Sequence, residues 1–572
     1  MKKILFSLSL FLLSLMAQAG PRSLEEMKSV AASVLKTKIS TTRVNSEVTP
    51  EVFKEGVQFT VLGYKAGGYV VVANDDEFSP VLGYSDASFS IDNMPPAMQW
   101  WLNAIDEALT NNLKSGKISL SGADVKKSSY PESVDMLLTT EWDQSEPYNS
   151  VIAKELGGNY LTGCVATAMA QTMKYHNYPV NGQGYKSYMC IPKTGNPVQL
   201  NVDFEATTYE WNNMLDFYNS RFGNYTEEQA NAVGTLMFHC GVAVEMSYGL
   251  DASGSHNYLA AAALRDYFKY NTKYYYRDIY NTEEWMNIIY EELANNRPIV
   301  YGGSTVDNYG HSFVIDGYDS NGLVHVNWGW SGGGTAYCDI AVLNSGQGSF
   351  SEGQDMVILH DDKEPEIAYT SQWGIMPSAT YSNGQTIKGV FNINVADYYT
   401  TDLEYTATNL FNLDPDKFNG ELALMAQPLN GGAAEPLNKE TLKGLNIYAG
   451  FSNYTRTADA SSLSDGEYRL YIATKATKES EWQTVRTNED IVNNYILIKN
   501  GNNLSLTPGE GGWTNGIGAI TTSDSNDGTT KVYDVEGRIL YESPTTSFKL
   551  SDVNAHGLII IKDIKGTRKI MK

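Results

Sequence analysis

The chain has 572 residues, too many for one hydrophobic core at roughly 100–200 residues per domain, so several folded units are expected. A hydrophobic content of 42%, with 18 Phe, 38 Tyr and 10 Trp, excludes global disorder. The formal charge of −24, from 66 acidic and 42 basic residues, disfavours nucleic acid or an anionic membrane surface as partner, because phosphate binding needs a concentrated basic face.

In chain order, Lys2 and Lys3 precede an apolar stretch over 4–16, and Ala17-Gln18-Ala19 supplies small residues for cleavage. This pattern predicts a signal peptide over 1–19 and export; the stretch is short for a bilayer span, and no transmembrane anchor is expected elsewhere. An amphipathic helix over 23–38, short strands over 59–64 and 68–73, and an aromatic-rich helix over 96–113 predict a small α+β unit over 20–130. Its end, 113–131, lacks apolar periodicity and reads as an exposed linker.

From 131 to 365 the texture changes. Helices are predicted from Cys164 and over 226–244, 258–268 and 282–295. Strands follow over 299–301, 312–318, 323–328 and 336–343. Helices first and an antiparallel sheet after them is an α+β order. Residues 366–508 read as strands and turns, the pattern of a β-sandwich. A compact β module over 509–572 ends the chain. Four cysteines (164, 190, 240 and 338) do not make a disulfide scaffold. If one of them reacts, the others are most simply buried thiols. Neither CxxC nor HExxH occurs, so neither a metal nor a cofactor is expected.

Chemistry concentrates in two places. Gly157-Gly158-Asn159-Tyr160-Leu161-Thr162-Gly163-Cys164 runs into a strong helix former, which sets Cys164 at a helix N-terminus. Unpaired amides and the macrodipole favour a negative charge there, the condition for a thiolate nucleophile and for an oxyanion site. Such a nucleophile needs an imidazole. His311 opens an apolar strand after Gly310, and the following strand, His325-Val326-Asn327-Trp328-Gly329-Trp330, pairs with it across 319–322. Asn327 could then orient the imidazole, with Trp328 or Trp330 as shield. His325, on the same strand face as Asn327, is the rival base.

Gly163-Cys164-Val165-Ala166-Thr167-Ala168, Met173-Lys174-Tyr175-His176-Asn177-Tyr178-Pro179, Gly310-His311-Ser312-Phe313-Val314-Ile315-Asp316-Gly317 and the strand from His325 to Trp330 together resemble the streptopain family, papain-like secreted bacterial cysteine peptidases. The resemblance extends over about residues 20–345, because Val70-Val71-Val72-Ala73 and Ser79-Pro80-Val81-Leu82-Gly83-Tyr84-Ser85 look like an inhibitory propeptide. It implies a two-subdomain papain-like fold behind an α+β propeptide, with Cys164 as nucleophile, His311 rather than His325 as base and acid, and Asn327 as orienter. Trp328 and Trp330 would flank the site. Val242, Met246, Ser253, Gly254, Ser255 and Gly310 would contribute to the substrate cleft, with Gly332, Gly333 and Gly334 as its mobile loop. The family's upstream oxyanion Gln has no counterpart closer than Gln144, leaving Asn159 or the Cys164 amide for that role. With less specificity, Val532-Tyr533-Asp534-Val535-Glu536-Gly537-Arg538 and the basic terminal strand resemble sorting domains of type IX secretion in Bacteroidetes.

The expected function is a secreted zymogen of a cysteine endopeptidase acting on proteins or peptides, with its own propeptide as intramolecular inhibitor. The alternatives are a silent scaffold that binds a host surface through its β domains, and amidase or transglutaminase chemistry at the same site.

Overall fold

The computed structural model describes residues 20–38, 49–65, 67–115, 122, 125, 130–219, 223–304, 310–343, 353–396 and 400–514, together with the backbone of four strands between 529 and 571. The expected signal peptide lies outside the described residues.

The first unit contains α1 (Leu24–Lys38), β1 (Glu51–Glu55), β2 (Phe59–Gly63), β3 (Tyr69–Ala73), β4 (Val81–Ser85) and α2 (Pro96–Ser115). After it come α3 (Ser150–Leu156), α4 (Cys164–His176), β5 (Tyr185–Cys190), β6 (Val198–Asp203), α5 (Glu227–Ala243), α6 (Asn257–Phe268), β7 (Asn271–Tyr276) and α7 (Thr282–Ala294). Then follow β8 (Ile299–Ser304), β9 (Gly310–Tyr318), β10 (Val324–Asn327), β11 (Ala336–Cys338) and β12 (Asp355–His360). Helix starts have local causes. Thr226 and Asn281 each close a capping box ahead of α5 and α7, satisfying amides that the helix itself leaves unpaired.

One ten-stranded sheet joins the first unit to the second, in the order β1-β2-β3-β4-β11-β10-β9-β8-β12-β7. The seam is β4 against β11, with Gly83 opposite Cys338 and Tyr84 opposite Tyr337. Gly83 is needed there: a Cβ would fall 2.7 Å from the Trp101 ring and from the Tyr337 carbonyl. One sheet face buries Phe313, Ile315, Val326 and Trp328 with Trp100 and Trp101 of α2 and Trp285 and Ile289 of α7. The other buries Val300, Val314 and Val357 with α4, α5 and α6. β9 therefore lies mid-sheet between two helical layers.

Three sequence expectations change. The stretch over 336–343 is a short strand followed by a 3-10 turn, Ala341–Leu343. The linker over 113–131 is not wholly exposed. Val125 is buried, and Gly122 donates to the Asp339 carboxylate and accepts from the Tyr290 hydroxyl at 3.2 Å; most of the rest of this stretch lies outside the described residues. β5, β6, β7 and β12 were not foreseen: polar residues mask the pattern in β5, β6 and β7, whereas β12 is buried on both faces and shows no alternation.

Beyond β12, strands Trp373–Ile375, Phe391–Val395, Asp402–Asn412 and Gly450–Asp459 form one sheet, and a seven-stranded sheet built on Phe418–Pro428 and Gly466–Ala476 faces it. Trp373, Tyr405 and Leu410 share a core with Leu424, Leu470 and Leu497, as a sandwich requires. The last strands, Thr529–Tyr533, Ile539–Pro544, Leu558–Asp563 and Gly566–Met571, make a separate four-stranded sheet.

Candidate active site

Gly163 caps α4 with φ +88°, a conformation that side chains resist, and a Cβ there would fall 2.6 Å from the Met246 sulfur. The segment before it is held on both sides. Thr162 N–H donates to the Gln144 carbonyl (3.1 Å), Leu161 N–H to the Gly249 carbonyl (3.1 Å), and Ser253 Oγ to the Leu161 carbonyl (2.7 Å). Cys164, half-buried, thus presents its sulfur to its own amide and that of Val165 at the head of the helix.

The sulfur also meets the amide and hydroxyl of Ser312 on β9. Burial pushes the thiol up, and the backbone amides of Ser312, Val165 and Cys164 work in the opposite direction without reversing the shift. His311 is lowered by burial. Both groups therefore favour their neutral forms, and among the described residues no hydrogen bond joins them. Strand alternation supplies the reason. Ser312 shares the face of Val314, toward α4, whereas His311 shares that of Phe313, toward Trp100 and α2.

Asn327 lies opposite Val314 and turns to the α4 side. Its oxygen accepts from Gly329 N–H (3.0 Å) and Gln171 Nε2 (3.4 Å), and its amide donates to the Thr140 carbonyl (2.7 Å). In this form it holds α4 and the 140 segment, not the His311 ring. His325 is engaged elsewhere, with Nδ1 at 2.5 Å from the buried Asp316 carboxylate. Trp328 is buried edge-on against Phe313 and donates to the Gly334 carbonyl (2.7 Å), while Trp330 is half-buried.

Among the expected cleft residues, Val242 and Met246 are fully buried, and Met246 packs beneath Gly163. Ser253 bridges loops, Ser255 donates to the Val244 carbonyl (2.6 Å), and Gly254 and Gly310 are exposed. In the loop at 332–334, Gly332 faces Glu141 and Gly333 faces Trp330, whereas Gly334 lies against the first unit. A Cβ on Gly334 would meet Pro95 at 3.0 Å and the Met98 sulfur at 3.2 Å, and Tyr69 donates to the Gly334 carbonyl (3.3 Å). Asn159 is exposed. Gln144 is half-buried, and its carbonyl accepts directly from Thr162, two residues before Cys164; its separation of twenty positions in sequence hid that proximity. Ser312, Gln171 and Asn257 were likewise missed as site residues. All four cysteines are free thiols, with 190, 240 and 338 buried. Among the described residues no His, Cys, Asp and Glu cluster could hold a metal.

The chain matches the Peptidase C10 family over residues 142–338 and the Spi protease inhibitor family over residues 23–109. It is 31% identical to streptopain of Streptococcus pyogenes over 327 residues, 53% of this chain and 80% of that protein. It is 30% identical to the thiol protease/hemagglutinin PrtT of Porphyromonas gingivalis over 409 residues, 66% of this chain; it spans about half of that relative's length (46%). Among solved structures, a prointerpain A fragment of Prevotella intermedia is 44% identical, covering 54% of this chain and 98% of its own, with a TM-score of 0.48.

Proposed function

Because the chain belongs to the Peptidase C10 (streptopain) family, we propose that it is the precursor of an exported cysteine endopeptidase in which Cys164 attacks the scissile carbonyl and His311 serves as base and acid. The observation that carries this reading is Cys164 at the head of α4, its sulfur turned to the β9 residue next to His311. In the reaction the thiolate adds to the carbonyl, the imidazolium protonates the leaving amine, and water then releases the acyl group with His311 as base. The Cys164 amide and Gln144 are the proposed oxyanion donors; the exposed Asn159 is not needed.

Residues 20–130 are proposed as the inhibitory propeptide, 131–365 as the peptidase, 366–508 as an accessory sandwich and 509–572 as a sorting module. Protein or peptide substrates would enter across the face that Pro95 and Met98 now cover, so cutting after α2 would open the cleft and free His311 to turn toward Cys164. The family matches favour this over the binding-protein alternative. Residues 1–19 are proposed to direct export; among the described residues no helix is long and apolar enough to cross a membrane.

After propeptide removal, a thiol-reactive epoxide is expected to label Cys164, and Cys164→Ala to abolish casein hydrolysis. Labelling elsewhere, or hydrolysis that persists in the variant, would refute the assignment.

A further inference from the structure

Ser312, Gly302 and Asp355 are direct cross-strand neighbours on β9, β8 and β12. The middle position has no side chain, and the Asn257 amide from α6 occupies the space. A Cβ on Gly302 would fall 2.3 Å from Asn257 Nδ2 and 2.6 Å from Asp355 Oδ1. Asn257, only 4% exposed, thereby bridges its two neighbours. Ser312 Oγ donates to its oxygen (2.6 Å), and its Nδ2 donates to Asp355 Oδ1 (2.8 Å). Tyr274 donates to the other carboxylate oxygen (3.0 Å) and lies 3.2 Å from the Tyr448 hydroxyl of the β-sandwich.

The direction of these bonds has a consequence at the sulfur. A hydroxyl carries one proton, and Ser312 donates it in the hydrogen bond to the Asn257 oxygen. Toward Cys164 its oxygen can then only accept, which favours the S–H form. Reversing the amide of Asn257 would reverse every bond: its NH₂ would donate to Ser312, whose proton would then be free to donate to a thiolate. That reversal requires Asp355 to carry a proton, because a carboxylate cannot donate to the amide oxygen.

We propose that Ser312, Asn257 and Asp355 are positioning residues that form a two-state hydrogen-bond relay, in which the charge state of Asp355 decides whether Ser312 accepts from or donates to the Cys164 sulfur. The inference rests on Cys164 as the nucleophile. Asp355 is suited to the part. Burial outweighs the two donated hydrogen bonds and pushes its carboxyl up to about 7, and no ion pair among the described residues neutralises it. The titratable groups facing Asp355 are its cross-strand partner Tyr276 and Tyr274 from β7, Tyr301 from β8 and, beyond Tyr274, Tyr448 of the sandwich; burial raises Tyr274, Tyr301 and Tyr448 well away from neutrality. From α6 it meets the uncharged Asn257. His311 is the titratable neighbour of Ser312 along β9.

Asp355→Asn mimics the protonated state, since its amide can donate to Asn257. In the intact full-length precursor, the rate of Cys164 alkylation by iodoacetamide, followed as a function of pH by mass spectrometry of the Cys164 peptide, reads the thiol directly and needs no hydrolytic activity. The midpoint is expected to fall by about one pH unit in Asp355→Asn. Adding Asp355→Asn to Ser312→Ala, where the relay no longer reaches the sulfur, is expected to move it no further. An unchanged or raised midpoint in the single variant, or an equal drop in the Ser312→Ala background, overturns the relay while leaving the nucleophile assignment intact. Should Asp355→Asn not fold, Tyr274→Phe removes one donor from the carboxylate and is expected to shift the midpoint in the same direction by less; no shift there also overturns the proposal.

Discussion

Cys164 and His311 each sit where their own backbone puts them, yet in the precursor they are not a pair. An ion pair requires the thiol to ionise below the imidazole, and burial moves the two groups in opposite senses, thiol up and imidazole down. The alkylation midpoint of Cys164 in the intact precursor is therefore expected above the ordinary thiol value of 9.0. It should move to lower pH once propeptide removal lets His311 approach; a midpoint already below that value in the precursor would contradict the neutral pair. Gln144 is a second test at this scale. If its side chain receives the developing oxyanion, Gln144→Ala lowers kcat of the processed enzyme by about a hundredfold with little change in KM. A change confined to KM would assign it to substrate binding instead.

At the scale of elements, β9 decides the arrangement. Its two faces meet different helical layers, so adjacent residues 311 and 312 serve different cores. The face toward α2 is tightly fitted: a Cβ on Gly303, opposite His311, would fall 2.1 Å from the Trp100 ring. Gly303→Ala is accordingly expected to destabilise the precursor by about 1–3 kcal/mol through overpacking. The processed enzyme, without Trp100, should melt normally. Equal losses in both forms, measured by thermal unfolding, would show that the glycine serves the peptidase alone. Much of this level was legible beforehand. The helix from Cys164 and the hairpin of β9 and β10 follow from apolar periodicity and a turn over 319–322. β12 did not, and with it Asp355 was missed, because a carboxylate in a short strand gives no local sign that it will be paired against Gly302.

For the whole molecule, the sandwich is fastened to the peptidase rather than tethered beside it. Arg486 donates to Glu284 at 2.8 Å and lies 4.1 Å from the Tyr280 ring; Tyr280 also donates to Gln372 (2.9 Å), which donates in turn to the Tyr274 carbonyl. Arg265 pairs with Asp416 at 2.9 Å across the same junction. Removing a hydrogen-bonded, buried charge such as Arg486 costs about 1.5–3 kcal/mol. Arg486→Met is expected to split calorimetric unfolding into two transitions; a single transition at the original temperature would mean the junction does not couple the units.

The order of the units, the helix that presents a thiol and the strand that carries an imidazole are local properties. Periodicity, capping and small residues at a turn determine them within a few residues, so the sequence by itself was sufficient. Which face of a strand looks at which helix, which glycine leaves room for an amide, and which carboxylate stands two strands away from the sulfur depend on contacts between positions far apart in the chain. Those relations come into being only when the sheet is assembled, and the tertiary structure alone decided them.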